Sequence, residues 1–473
     1  MSVPLLLPEL IVASFAMIVL IMDLFIRDKR FLSCTSIFGL ILALYISLTL
    51  IGVRASLFNG MFLVDGFASF FKLVFLAVTL LVVIVSIVFV QKSRNQGEYY
   101  SLLLFATLGM MIVASAGDLI TLYIGLELAS ISTYVLAGFR KDSKGSEAAI
   151  KYYIIGALSS ALIVFGISLL YGITGTTNIA LLSSLIGANI ANFYSVALLG
   201  AIFLVAGFGF KMAAVPFHMW APDTYEGAPS PVAAFLAASA KAMGFAAAFK
   251  VFAVATISMK ADLGLAFAVI AVITMTLGNV VALRQQNIKR MLAYSSIGHV
   301  GYILIGFAVF TPMGYIGGLF HVLTNAFMKG GAFLAVALVS YALIGSRIDD
   351  YKGLGKRAPI TAFAMLIFLL SLIGIPPLAG FWSKFVLILA AIEAGGYMTI
   401  LAVVLILNSA ISLFYYGRVI KYMYITKQDN APRVEEPTSF VLALLLAVIA
   451  IFLIGLFPQK IVDFLNTAVI ELI

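Results

Sequence analysis

Apolar residues run along this chain in blocks of twenty or so, separated by short clusters of glycine, proline and charge. A helix of roughly 20 apolar residues crosses a hydrocarbon core about 30 Å thick, so each block predicts a transmembrane helix. Fourteen are expected, over residues 4–26, 31–53, 67–91, 99–116, 118–138, 147–172, 193–215, 231–258, 262–283, 291–310, 313–342, 359–394, 398–425 and 438–457. No soluble domain fits between them. The first block is too long for the apolar region of a signal peptide and lacks a basic flank before it and a small-residue cleavage site after it, so it reads as a span.

Composition agrees. Of 473 residues, 63% are hydrophobic and only 10% charged, and mean hydropathy is +1.15. That leaves too little polar surface for a soluble globule, so lipid must be the solvent. The net charge of +9 would suggest nucleic acid in a soluble protein. Its position argues otherwise: nineteen basic residues, from Arg27 to Arg433, fall in loops of one side and only Arg54, Lys260 and Lys460 on the other. This bias reports topology, with no nucleic acid as partner and with both termini outside the cytoplasm or matrix. Cys34 is the sole cysteine, which excludes disulfides within the chain, thiolate-held iron–sulfur clusters and a cysteine zinc site. The three histidines, His218, His299 and His321, lack any haem motif. The chain is expected to hold no cofactor and no metal.

Seven lysines remain inside the apolar blocks: Lys72, Lys151, Lys211, Lys241, Lys250, Lys329 and Lys384. A charge at the bilayer centre costs about 2.5–3.5 kcal/mol, so such residues face a bundle interior or a water-lined path. Depth separates them, because each helical residue adds about 1.5 Å. Counting from Pro231, Lys241 lies about 15 Å deep, near the midplane, while Lys250 lies about 28 Å along, near the far interface. A regular helix turns these two to opposite faces. Lys250, and Lys72 near the outer end of its span, are therefore read as snorkelling side chains.

Glu127 is also near the midplane. An isolated buried carboxylate protonates and a buried lysine tends to lose its proton, but a pair across helices holds both charged. A pair that tightens and loosens can take up and release a proton, which is the chemistry of a pump.

Two spans are interrupted by proline. Lys211 precedes Pro216 in Phe-Lys-Met-Ala-Ala-Val-Pro-Phe-His-Met-Trp, and Lys384 follows Pro377 in Gly-Ile-Pro-Pro-Leu-Ala-Gly-Phe-Trp-Ser-Lys-Phe. Broken membrane helices line cavities or ion sites. The breaks lie five spans apart, and an odd offset reverses direction. The chain is therefore expected to be an all-α polytopic membrane protein with two inverted five-helix repeats: an N-terminal unit 1–98, repeats over 99–258 and 259–425, and a last helix with a short tail over 426–473. Lys151, near a cytoplasmic helix end, can snorkel or admit protons. His299 and His321 can relay protons near neutral pH, and Lys329 can link the central lysines.

The motifs Tyr-Ile-Gly-Leu-Glu-Leu-Ala-Ser-Ile-Ser-Thr-Tyr-Val-Leu at 123–136, Glu-Ala-Ala-Ile-Lys-Tyr at 147–152, Val-Pro-Phe-His-Met-Trp-Ala-Pro-Asp-Thr-Tyr-Glu-Gly-Ala-Pro at 215–229, Lys-Arg-Met-Leu-Ala-Tyr-Ser-Ser-Ile-Gly-His at 289–299 and Gly-Ile-Pro-Pro-Leu-Ala-Gly-Phe at 374–381 closely resemble those of the antiporter-like subunits of respiratory complex I. The resemblance spans nearly the whole chain. It implies a proton-translocating subunit of an NADH:quinone oxidoreductase, with Glu127 and Lys211 as the family's ion pair, Lys241 as central relay and Lys384 as outlet-side carrier. Lys151 and His218 fall on positions associated with the input path. The stop after the fourteenth span, without a lateral helix, and lysine rather than glutamate at 384 point to the N type rather than the L or M types.

The resemblance further implies that NAD(H), FMN, iron–sulfur clusters and quinone belong to partner subunits. This chain would contact other membrane subunits, and through them a hydrophilic redox arm, in the inner membrane of a bacterium or a mitochondrion. Two readings compete: a subunit of an Mrp-type cation/proton antiporter, and a purely structural membrane subunit whose buried charges serve assembly.

Overall fold

The computed structural model describes residues 3–91, 93–342, 344–426 and 433–473. Lys92 and Lys427, two of the predicted inner-loop charges, lie outside the described residues. Thirteen helices among the described residues are long and apolar enough to cross a membrane. The predicted twelfth span supplies the remaining crossing in two pieces.

In chain order the helices are α1 (Leu7–Phe25), α2 (Arg30–Thr49), α3 (Gly66–Phe89), α4 (Gln96–Ser115), α5 (Leu119–Ala137), α6 (Ser143–Thr174), α7 (Ile179–Met212), α8 (Trp220–Gly227) and α9 (Ser230–Ala255). They continue as α10 (Lys260–Arg284), α11 (Ile288–Val309), α12 (Pro312–Tyr341), α13 (Pro359–Ile373), α14 (Ala379–Ala394), α15 (Thr399–Tyr424), α16 (Thr438–Leu456) and α17 (Pro458–Leu472). A small antiparallel hairpin, β1 (Ala55–Leu57) with β2 (Phe62–Val64), sits in the loop before α3.

Short polar residues start many of these helices by accepting from otherwise unpaired backbone N–H groups. Asp65, Asp118, Asp142, Asn178, Asn287 and Thr311 cap α3, α5, α6, α7, α11 and α12 in this way. Proline in the first turn, which needs no N–H there, opens α1, α9, α12, α13 and α17.

Helices α9, α11 and α12 are almost wholly enclosed, whereas α1 and α15 present large apolar side chains outward. The enclosed α9 is rich in alanine, which lets neighbouring backbones approach closely. Its ladder loosens twice into π turns, at Leu236–Ala240 and Phe249–Ala255. Lys241 directly follows the first and Lys250 lies within the second. A π turn inserts an extra residue, so an even helical count no longer fixes which way Lys250 faces.

The inverted relation is visible at the caps. Asp118 and Asn178 pair as an isolated antiparallel bridge, and so do Asn287 and Arg347, at the same offset along the chain. The first bridge lies on the face of Arg54 and the second on the face of Arg290. Each interrupted span ends its first piece in a left-handed residue, Ala213 at φ 61° and Gly374 at φ 95°. Cis bonds follow at Val215–Pro216 and Pro376–Pro377.

Two segments differ from expectation. Helix α7 begins at Ile179 rather than near 193, because Asn178 caps it, and it bends at Phe193. The expected short tail is the fifteen-residue helix α17, strongly amphipathic and packed on α3. Glu471 near its end bonds the Gly66 N–H and pairs with Arg54 at 2.7 Å.

Candidate functional site

At the first break, Lys211 is the penultimate residue of α7, just before left-handed Ala213. Its ammonium donates to Ser130 Oγ at 2.7 Å and stands 3.7 Å from Glu127 Oε1. Glu127 in turn accepts from Ser160 Oγ at 2.5 Å. Helices α5, α6 and α7 thus converge on one acid and one amine, as the spacing of Glu127 and Ser130 along one face of α5 allows. The ion pair expected from sequence is present. Ser130 is the nearer partner of the amine, so the carboxylate is held at a loose distance.

Lys241 occupies the centre. It is 1% exposed and donates to Ser296 Oγ at 2.7 Å, with the Tyr225 ring 5.5 Å away. The neighbouring Ser295 receives the ammonium of Lys329, which also donates to Tyr416 Oη at 3.1 Å. Adjacent serines of α11 therefore hold Lys241 of α9 and Lys329 of α12. His299, on the next turn of α11, bonds His321 of α12 through Nδ1 and Nε2 at 2.9 Å, with the rings stacked. His321 Nδ1 continues to Ser383 Oγ at 2.9 Å, the residue next to Lys384.

At the second break, Lys384 donates to the carbonyls of Leu372 and Ile373, both at 2.9 Å, and to Ser409 Oγ at 3.0 Å. These carbonyls are freed because α13 stops there. Gly374 supplies the left-handed turn that ends it, and a side chain at that position would meet the Lys384 stem at 3.2 Å. Proline interruption and lysine are thus one device: the break exposes acceptors and the amine satisfies them.

The peripheral residues behave differently. Lys151 is 44% exposed at the inner face and pairs with Glu147 at 2.7 Å and Asp223 at 2.9 Å. Arg290 ties Asp223 to Glu226, and these five charged groups line a cavity of 170 Å³. His218 lies half-buried in the first break, and its Nδ1 has no partner among the described residues. Lys289, read as a loop charge, is instead buried and reaches the Ala228 and Glu226 carbonyls at the end of α8.

The snorkelling readings of Lys72 and Lys250 are corrected. Both are 3% exposed. Lys72 pairs with Glu9 of α1 at 2.7 Å, and Lys250 faces a cavity at the outer face. Depth near an interface does not tell lipid from interior, and here the surrounding helices close over both.

Sequence reasoning placed Glu127, Lys211, Lys241, Lys329, His299, His321 and Lys384 among the candidates, and the fold brings them onto connected helices. It missed the hydroxyl partners Ser130, Ser160, Ser295, Ser296, Ser383, Ser409 and Tyr416. Ser295 and Ser296 lay in a quoted motif, one turn before His299, and that spacing was the available signal. No three His, Cys, Asp or Glu side chains converge as a metal site among the described residues.

Residues 116–411 match the family model for the transmembrane region of NADH:quinone oxidoreductase and Mrp antiporter proteins. The chain is 45% identical to F420H2 dehydrogenase subunit N of Methanosarcina mazei, over 98% of each chain. It is 43% identical to NADH-quinone oxidoreductase subunit N of Trichlorobacter lovleyi, over 98% of this chain and 96% of that one. In solved respiratory complex I from Thermus thermophilus, a chain 30% identical superposes with a TM-score of 0.82, covering 96% of this chain and 98% of that one.

Proposed function

Because this chain belongs to the NADH:quinone oxidoreductase/Mrp antiporter membrane family, among its N-type subunits, we propose that it carries protons across the membrane along a buried line from Glu127 and Lys211 through Lys241 to Lys384. Each amine takes a proton from one neighbour and yields it to the next. Lys211 is biased by its acid, and Lys384 by the carbonyls of the broken helix.

One observation carries this reading: α11 alone presents Ser295, Ser296 and His299, which contact Lys329, Lys241 and His321. Buried charges serving only assembly would be expected to pair off locally. Here residues on two successive turns of α11 instead contact Lys241 of α9 and Lys329 and His321 of α12. Lys151 with Asp223 marks the inner-face input, and His218 lies within electrostatic reach of Lys241. We assign 1–98 to an N-terminal unit, 99–258 and 259–425 to the two repeats, and 426–473 to the closing helices.

The redox chemistry belongs to partner subunits that hold NAD(H), FMN, iron–sulfur clusters and quinone. A relative that serves an F420H2 dehydrogenase agrees with a pump module independent of the electron donor. The basic loops face the cytoplasm of a bacterium, or the matrix if organellar. The test is to purify the assembly containing this chain and measure donor-driven proton uptake in vesicles. Flavin and iron–sulfur subunits copurifying with quinone-linked uptake support the proposal. An assembly without them that exchanges sodium for protons assigns the chain to Mrp-type antiport.

A further inference from the structure

We propose that Lys250 is a proton-release residue of the first repeat, handing its proton to water in an outer-face cavity. The inference rests on the proton-translocation reading above and adds an exit that Glu127, Lys211 and Lys241 do not provide.

A cavity of 330 Å³, room for several waters, is lined by Lys250, Asp65, Asn178 and Glu471. Its walls are the outer ends of α3, α7, α9 and α17, on the face that carries Arg54 and Lys260. Lys250 is 3% exposed, and its ammonium lies 5.1 Å from the Phe67 ring centre. It makes no hydrogen bond or ion pair among the described residues.

A lysine kept only to brace helices would be tied to an acid, since a buried charge without a partner is costly. Both nearby acids are engaged elsewhere. Asp65 accepts from Ala68 N at 2.6 Å, and Glu471 bonds Gly66 N and Arg54. The charged groups acting on Lys250 are Asp65 and Lys72, and Lys72 is itself paired with Glu9. Lys250 is therefore left facing water with a free amine.

Phe245 and Phe249 lie between Lys241 and Lys250 on α9 and stack on Phe307, with centroids 6.4 and 4.3 Å apart. In the step itself, the neutral amine binds a proton from the relay to become ammonium. The ammonium then transfers it to a cavity water, the hydrated proton leaves on the outer face, and the amine is restored.

The experiment uses the whole assembled complex in proteoliposomes, with proton uptake measured per quinone reduced. Lys250→Met and Lys250→Arg should both lower that ratio about tenfold or more, and Lys250→His should recover part of it. Arginine keeps the charge but does not release its proton, so full activity of Lys250→Arg or of Lys250→Met overturns the proposal. In a Cys34→Ser background, Lys250→Cys should react from the outer side with a membrane-impermeant thiol reagent. No reaction overturns the proposal even where a variant assembles poorly. Lys241→Ala separates the two levels: normal pumping there defeats the underlying reading, whereas loss there with normal Lys250→Met defeats only the exit.

Discussion

The two interrupted helices share a backbone solution and differ in how the lysine beside each is satisfied. In the first repeat Lys211 rests on a hydroxyl and faces a carboxylate, Glu127, at 3.7 Å. In the second, Lys384 rests on two backbone carbonyls and a serine, with no acid in contact among the described residues. The contrast extends to the helices opposite. Glu127 and Ser296 lie equally far past the caps Asp118 and Asn287, so the carboxylate of one repeat is a hydroxyl in the other. The two breaks share a backbone form, and their electrostatics are unequal. A carboxylate can move relative to an amine and change its proton affinity, while carbonyls fixed at a helix end cannot. On the proposed proton line, the switching element would then be Glu127 with Lys211, and Lys384 a fixed carrier.

The largest effect that would break this comparison is expected at Glu127. Glu127→Ala leaves Lys211 buried with only Ser130 and should lower proton uptake about tenfold, equivalent to about 1.4 kcal/mol, in an assembled complex. Glu127→Asp should retain part of the activity. Normal uptake by Glu127→Ala would place the switch elsewhere.

Next in size is the bridge between the halves. His321→Ala removes the contacts to both His299 and Ser383, and uptake should fall several-fold, about 1 kcal/mol of lost transfer efficiency. Unchanged uptake would mean that the halves work independently.

Serine replacements sharpen the contrast further. Ser296→Ala deprives Lys241 of its hydrogen-bond partner, a loss of about 1–3 kcal/mol for a buried donor. Ser130→Ala should cost less, because Lys211 keeps Glu127. Thermal stability and uptake of the two variants, measured together, give the order. The smallest effect is expected from Ser160→Ala, which removes one hydrogen bond of about 0.5 kcal/mol net from a carboxylate that still faces Lys211.

Much of this site was legible from sequence because charge in an apolar span is conspicuous. Glu127 and Lys241 stand out by depth, and Lys211 and Lys384 by their places beside the breaks at Pro216 and Pro377. Hydroxyl partners did not stand out, since serine is ordinary in membrane helices and only tertiary packing puts Ser295 and Ser296 under two lysines. Lys72 and Lys250 were misread for a different reason: distance to the interface is readable from sequence, but whether neighbouring helices close over a side chain is not, and for Lys250 the π turns of α9 also undo the facing count. Helix α17 was missed because its apolar and polar residues alternate by face and never form an unbroken apolar run.

The central claim is that the buried amines carry the proton and are not merely packed charge. The direct measurement is donor-driven proton uptake per quinone reduced, in proteoliposomes, for assembled Lys241→Ala and Lys384→Ala complexes beside the parent. The account predicts that both assemble and both lose most of the uptake, with quinone reduction falling too if coupling is tight. Parent-level uptake by both variants would contradict it.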